Sequence, residues 1–285
     1  WNSWDDLRSR VSQEDILGNA KLIRENQVLG DSVSTIIVDG GWQHTKGEWE
    51  ANYRFPSGMA SLANEIQTLG FTPGIWFAPF SIAPSSPFAA NNPEALVKGD
   101  HFLPGKSGPG AGDFVLDTTT PTGKEYLFNT FNRYYKIGFR YFKIDFTYVL
   151  EDGVFYSGKR TPKGSLLKEA YKVIRAAIGP DSHLLACNSP FNATAESIDS
   201  ARITKDIQLR WDQIQKNTAS LACRYWMNRS IFWGDPDFCV VRAPFSIKQG
   251  VSEDFPHRMN YMTMEQQESY RVKEEQVPLS KGEVE

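Results

Sequence analysis

Lys143 and Asp145 stand one residue apart in Tyr141-Phe-Lys-Ile-Asp-Phe146, a stretch otherwise apolar and aromatic. Such a run, bounded by turn residues, reads as a short buried strand, and alternate side chains of a strand share a face. The cation and the carboxylate therefore point the same way. Removing even a neutral polar group from water without a partner costs roughly 2–7 kcal/mol, and a lone charge costs more. A pair on one face offsets part of that cost, and the cation keeps the carboxylate ionised. An ionised carboxylate at a strand end is what a carboxylate nucleophile requires. The same pair would serve equally as a structural salt bridge, and this stretch alone does not separate the two.

The surrounding chain repeats a unit of helix, glycine, short apolar strand and polar loop. Ser12-Gln-Glu-Asp15 predicts a helix start with an N-cap and early acids, running to about Gln27. Strands are expected at Thr35–Asp39, Thr72–Ala78, Arg140–Asp145, His183–Cys187, Ala201–Thr204 and near Ser230–Trp233, with Trp1–Trp4 counted as a first strand. Helices are expected at Met59–Leu69, from Thr120-Pro121 to Gly138, at Ser165–Ile178 and from about Ile207 to Cys223. Proline at the first helical turn and glycine just past the last are the expected terminal signals.

Alternating strands and helices imply a parallel sheet with right-handed crossovers. The strand ends carry Asp39, Asp145, Cys187-Asn188, Asp206 and Asp235, and polar residues at successive C-terminal strand ends mark the active face of a (β/α)8 barrel. A doubly wound open sheet is the alternative, but its glycine-rich phosphate turn, G-x-G-x-x-G, is absent from the sequence. Pro84–Pro109 reads as a long loop over that face. The barrel is expected over residues 1–242 and a polar segment over 243–285. Ser280 and Glu283 have capping-box spacing, which predicts that the chain stops at the start of the last helix, before an eighth strand.

Composition narrows the function. The chain has 285 residues, 40% hydrophobic and 23% charged, with a net charge of −3. This balance is that of a globular α/β domain and argues against a nucleic-acid partner. No apolar run is long enough to span a membrane as a helix. Three cysteines, Cys187, Cys223 and Cys239, form no short-spaced pair, and four scattered histidines suggest no metal cluster. No cofactor or metal is expected. Eight tryptophans suit a sugar-binding cleft or a well-packed core.

In order and spacing, the motifs resemble the α-galactosidase clan, glycoside hydrolase families 27 and 36, over residues 1 to about 242. Trp1-Asn-Ser-Trp4 is similar to the clan's first strand, Val38-Asp-Gly-Gly-Trp42 to its second, and Gly74-Ile-Trp-Phe-Ala-Pro79 to its third. The stretch from Gly47-Glu-Trp49 through Arg54-Phe-Pro-Ser-Gly-Met59 resembles family 36 between strands two and three. Lys143-Ile-Asp145 resembles the nucleophile strand, Arg202-Ile-Thr-Lys-Asp206 followed by Trp211 the acid/base strand, and Gly234-Asp-Pro-Asp237 the stretch after strand seven. The resemblance implies a retaining α-glycosidase acting on a glycoside or oligosaccharide, with Asp145 as nucleophile and Asp206 as general acid/base. It further implies substrate contacts from Asp39, Trp42, Trp76, Lys143, Cys187, Asn188, Arg202 and Asp235. For Trp42 and Trp76 core packing is the competing reading, for Cys187 an inert thiol, for Asp206 a helix start, and for Asp235 or Asp237 a plain turn. A transglycosidase of raffinose-synthase type, a non-catalytic carbohydrate-binding barrel and a metal-dependent barrel hydrolase are the alternatives. The two candidate catalytic carboxylates count against a binding-only barrel, and the scarcity of histidine counts against a metal enzyme. One position departs from the clan: Gly40 stands where many members have a second aspartate that reads galactose hydroxyls. A missing charged acceptor costs on the order of 1.5–3 kcal/mol of binding unless replaced.

Overall fold

The computed structural model describes residues 1–97, 112–150, 164–207 and 211–238. They fall into two compact units that meet in sequence between Ser200 and Ala201.

The first unit is built on a parallel sheet. Helix α1 (Gln13–Glu25) leads to strand β1 (Thr35–Val38), and α2 (Gly58–Thr68) leads to β2 (Thr72–Phe77). A small antiparallel pair, β3 (Ser81–Ile82) and β4 (Phe114–Val115), follows. Then come α3 (Pro121–Lys136), β5 (Tyr141–Ile144), α4 (Ser165–Ile178) and β6 (His183–Ala186). β1 pairs with β2, β2 with β5 and β5 with β6, all parallel, so spatial order follows chain order. That progression is what right-handed strand–helix units closing a barrel produce.

Local chemistry accounts for the helix ends. The Ser12 hydroxyl accepts the Asp15 N–H at 3.2 Å while the Asp15 carboxylate accepts the Ser12 N–H at 2.9 Å. This reciprocal cap satisfies two otherwise orphaned donors. Thr120 caps α3, with Pro121 at its first position. Gly123 in that turn is a packing requirement, since a β-carbon there would lie 2.2 Å from the Asp117 carbonyl.

Two expectations for this unit are corrected. Trp1–Trp4 does not form a full strand: Asn2 makes a single parallel bridge to Ile37, and Trp4–Leu7 is a helical turn. The Asn2 side chain accepts the Trp4 N–H at 2.8 Å and so turns the chain out of extended geometry. Residues 84–97 are not a plain loop, since they contain the short helix Pro87–Asn91 and a 3-10 turn at Pro93–Ala95. The remainder of Pro84–Pro109 lies outside the described residues.

In the second unit, β7 (Ser200–Arg202) begins at the boundary, α5 (Trp211–Arg224) follows, and β8 (Trp233–Asp235) comes last. The Ile203 N–H donates to the Asp235 carbonyl at 2.8 Å, tying the chain after β7 to β8. Of the helix expected from about Ile207 to Cys223, the described part is α5, and the Ile207 N–H ahead of it donates to the Asp237 carboxylate at 2.5 Å. The last strand lies further along than Ser230–Trp233. The expected polar segment 243–285, with its Ser280 capping box, and Cys239 lie outside the described residues. Among the described residues, no helix is long and apolar enough to cross a membrane, and no cluster of three or more His, Cys, Asp or Glu could hold a metal ion.

Candidate active site

β5 ends in the candidate centre. Lys143 is level with Trp76 of β2 on one side and Leu185 of β6 on the other. It is buried at 5% exposure. Its ammonium does not fold back on Asp145 as its closest partner. It reaches over β2 to the Asp39 carboxylate that follows β1, at 2.6 Å. Two inter-strand spacings separate β1 from β5, about 10 Å, and the four-carbon lysine stem and the Asp39 side chain together span that gap. Burial alone pushes the Lys143 ammonium down, but Asp39, then Cys187 and Asp145, outweigh it and hold the group above the usual lysine range.

Asp39 is itself 2% exposed, and both its carboxylate oxygens have donors. Besides Lys143, its carboxylate accepts the Asn2 side-chain amide at 2.9 Å and the Gly40 N–H at 2.8 Å. Its own N–H donates to the Ser3 hydroxyl at 3.0 Å. Asn2 and Ser3 were not among the expected site residues. Reading Trp1–Trp4 as a strand assigned them no polar role, although an Asn-Ser pair between two tryptophans was a visible signal.

Asp145 follows β5 and is held from three directions. The Asn188 amide donates to Oδ1 at 2.8 Å, the Phe146 N–H to Oδ1 at 2.8 Å, and the Trp76 indole N–H to Oδ2 at 3.3 Å. The residue as a whole is half-buried, yet its carboxyl group sits among protein atoms. That loss of water raises it above the usual aspartate range, against the opposing pull of Lys143 and of the Phe146 N–H. The expectation that Lys143 biases Asp145 toward the ionised form is correct in direction but is outweighed by desolvation.

Phe146 and Asn188 both adopt positive φ, 53° and 51°, directly after β5 and β6. Non-glycine residues in that region carry strain, which the surrounding bonds must hold. The turns aim the Phe146 N–H and the Asn188 amide back at the carboxylate. A second line of bonds braces them. The Thr147 hydroxyl donates to the Asn188 carbonyl at 2.8 Å and also meets the Ser189 hydroxyl at 2.8 Å, which lies 3.0 Å from the Tyr171 hydroxyl of α4. No local pattern in the sequence marks Tyr171, Thr147 or Ser189 as supports. Tyr148, 37% exposed, lies within electrostatic reach of Asp145 and was likewise not expected.

The expected tryptophans divide differently. Trp42 is fully buried among Trp49, Phe77 and Tyr134, and its N–H donates to the Trp76 carbonyl at 3.0 Å. No face is left for a sugar, so the core reading replaces the binding one. Trp76 is 5% exposed, against Gly40 on one side and edge-on to Trp49 and Phe146. Its role in this arrangement is hydrogen-bond donation to Asp145 and not stacking. Cys187 is buried at 2% exposure, behind Asn188.

In the second unit, one guanidinium nitrogen of Arg202 lies 2.7 Å from Asp206 Oδ1 and 2.7 Å from Asp237 Oδ2. The Asp206 side chain is 72% exposed and the Asp237 side chain 2%. Burial pushes Asp237 up to about 6, against the pull of Arg202. Asp235, the expected binding residue, accepts the Asp237 N–H at 2.9 Å, which is the turn reading of Gly234-Asp-Pro-Asp237.

Taken together, the first unit offers an oriented carboxylate beside a buried Lys–Asp pair. The second offers an exposed carboxylate on an arginine. A carboxylate of the first kind can act as a nucleophile, and one of the second kind can move a proton.

The family model for melibiase matches residues 1–171. The chain is 34% identical over 82 residues to the α-galactosidase mel1 of Schizosaccharomyces pombe, covering 27% of this chain and 19% of that protein. It is 25% identical over 139 residues to an Escherichia coli α-galactosidase, covering 46% of this chain and 18% of that one. Both matches thus span less than a fifth of the curated relatives. Among solved structures, the Thermus thermophilus α-galactosidase TtGalA in complex with p-nitrophenyl α-D-galactopyranoside superposes with a TM-score of 0.74 at 22% identity, covering 97% of this chain and 61% of that chain. The likeness shows a common fold, the (β/α) barrel of the α-galactosidases.

Proposed function

The chain belongs to the melibiase family, and from that premise we propose that it is the catalytic barrel, over residues 1–242, of a retaining α-glycoside hydrolase of α-galactosidase type. The observation that carries the reading is the Asp145 carboxylate at the end of β5, oriented by Trp76, Asn188 and the Phe146 N–H.

Asp145 attacks the anomeric carbon. The bond from that carbon to the leaving oxygen breaks, and Asp206 supplies the proton that oxygen takes. Asp206 then removes a proton from water as the water oxygen bonds to the same carbon and the ester to Asp145 breaks. Two inversions return the α configuration. Lys143 and Asp39 form a fixed polar floor from which sugar hydroxyls are bonded, Asn188 holds the nucleophile, and Arg202 stabilises charge beside Asp206. No cofactor enters these steps. The substrate is a glycoside or oligosaccharide, and the names of two relatives point to α-galactosides.

Gly40 bears on the choice of sugar. A β-carbon added there would meet the Trp76 ring at 3.4 Å, an ordinary contact, so folding does not demand glycine. The lack of a carboxylate at this position belongs to recognition. A panel of aryl α-glycosides, with product anomers followed by NMR, tests the reading. First-formed α product from an α-galactoside supports it, and a first-formed β product refutes the retaining mechanism. Adding an acceptor sugar separates hydrolysis from transfer.

Two further outcomes are expected. Removal of the acid/base in Asp206→Ala should slow natural oligosaccharides by roughly 10²–10⁴-fold while aryl glycosides with good leaving groups still form the glycosyl-enzyme. Azide, which needs no deprotonation, should restore aryl turnover and yield the α-glycosyl azide. The absence of both effects would remove Asp206 from its role. The second concerns pH. Because burial raises Asp145, the acid limb of kcat/KM should fall off above the ordinary aspartate range, near 4. A limb at or below that range would mean that another group is the nucleophile.

A further inference from the structure

We propose that Asp237 is a positioning residue for proton transfer, which shares Arg202 with Asp206 and so prevents the guanidinium from locking the acid/base in its ionised form. The inference rests on the assignment of Asp206 above and goes beyond it.

A general acid must spend part of the cycle protonated. An arginine 2.7 Å from Asp206 works against that, because an adjacent cation favours the carboxylate. The same nitrogen, however, also lies 2.7 Å from Asp237, whose side chain is 2% exposed. An ionised Asp237 neutralises the guanidinium, and its field opposes ionisation of Asp206. One positive and two negative charges then share one place, and the guanidinium is not held by Asp206 alone.

The geometry around Asp237 is built to hold it there. Its backbone has φ of 76°, a conformation that side chains other than glycine rarely adopt. Its N–H is taken by Asp235 at 2.9 Å, and its carboxylate accepts the Ile207 N–H at 2.5 Å. The Thr204 hydroxyl donates to the Pro236 carbonyl at 2.8 Å. The segment carrying Asp206 is thus tied to the turn carrying Asp237 on both sides of the carboxylate. Other charged groups among the described residues of this unit have partners of their own. Arg224 donates to the Ile203 carbonyl and to Ser220, and Asp212 pairs with Lys216. Lys205, beside Asp206, is exposed and bonds through its backbone carbonyl, to the Asn217 amide, and Asp235 adds a further negative charge near Asp237.

The plain alternative is that Asp237 only ties two loops together. Asp237→Asn separates the two, since the amide keeps an acceptor and loses the charge. The test is a series of aryl glycosides of graded leaving-group acidity, run across pH with the full chain. In Asp237→Asn, Arg202 loses the charge of one of the two carboxylates it shares and still faces Asp206. The alkaline limb of kcat/KM is then expected to move down by about one pH unit. Poor leaving groups are expected to slow by on the order of 10-fold or more, with the best leaving group nearly unaffected. Asp237→Glu keeps the charge and should leave the limb in place while lowering the rate. Equal slowing of every substrate with an unmoved limb in both variants overturns the proposal and leaves a structural tie. If Asp237→Asn does not fold, an Asp237→Glu limb that moves down overturns it as well. The assignment of Asp206 is checked apart from this. Asp206→Ala that lacks leaving-group dependence refutes that assignment whatever Asp237→Asn does.

Discussion

Asp145→Ala is expected to abolish turnover of every glycoside, aryl or natural, with a loss on the order of 10⁴–10⁶-fold, the range met when a covalent catalytic unit loses a member. The variant keeps Trp76 and Asn188, which hold the site open around the missing carboxylate. It has no group to form the glycosyl intermediate. A small anion should fit the vacated volume and attack the anomeric carbon from the same face as the lost carboxylate. Azide should therefore give a β-glycosyl azide, by one inversion, from an activated aryl α-glycoside. This product is the anomer of the α-azide expected from Asp206→Ala. If azide gave the α product with Asp145→Ala and nothing with Asp206→Ala, the two roles would have to be exchanged.

Lys143→Met should have the largest effect on stability. It leaves the Asp39 carboxylate, 3% exposed over its side chain, without its cation. Breaking one side of a buried ion pair costs about 3–5 kcal/mol, because the remaining charge keeps its desolvation penalty. For a domain of this size the melting temperature should fall by on the order of 10 °C. The Asp39→Asn, Lys143→Met double variant removes both charges and should recover much of that loss, since the cost belongs to the unpaired ion and not to the absence of a bridge. A single variant as stable as the parent would show that water or another cation reaches Asp39. Activity gives a second readout. Without Lys143 the Asp145 carboxyl loses the strongest influence lowering it, so the acid limb of kcat/KM should rise further.

Much of the scaffold was legible because it depends on residues close in sequence. The Ser12–Asp15 cap, Pro121 at the start of α3, and Gly70, Gly138 and Gly179 at positive φ past helix ends are short-range devices. β5 could be read from a bounded apolar run. Other contacts are side-chain choices that periodicity does not carry. The Ile207 N–H donates to the carboxylate of Asp237, thirty residues on. Trp1–Trp4 does not form a full strand, because the Asn2 side chain competes for the Trp4 N–H.

The candidate site shows the same division. Sequence by itself determined the type and period of the residues: a carboxylate two positions from a lysine on one strand face, polar groups at strand ends, and the alternation of strand and helix that brings those ends to one side. These follow from covalent spacing and from the two-residue period of a strand. Only the tertiary structure decided the pairings. Lys143 takes Asp39, 104 residues away, because β2 lies between their strands and the lysine stem reaches over it. Trp42 goes to the core because Trp49, Phe77 and Tyr134 surround its ring, and Trp76 becomes a donor to Asp145 because β2 lies beside β5. Asp145 is raised and not lowered because the turns after β5 and β6 remove water from its carboxyl group faster than a lysine already paired elsewhere can compensate.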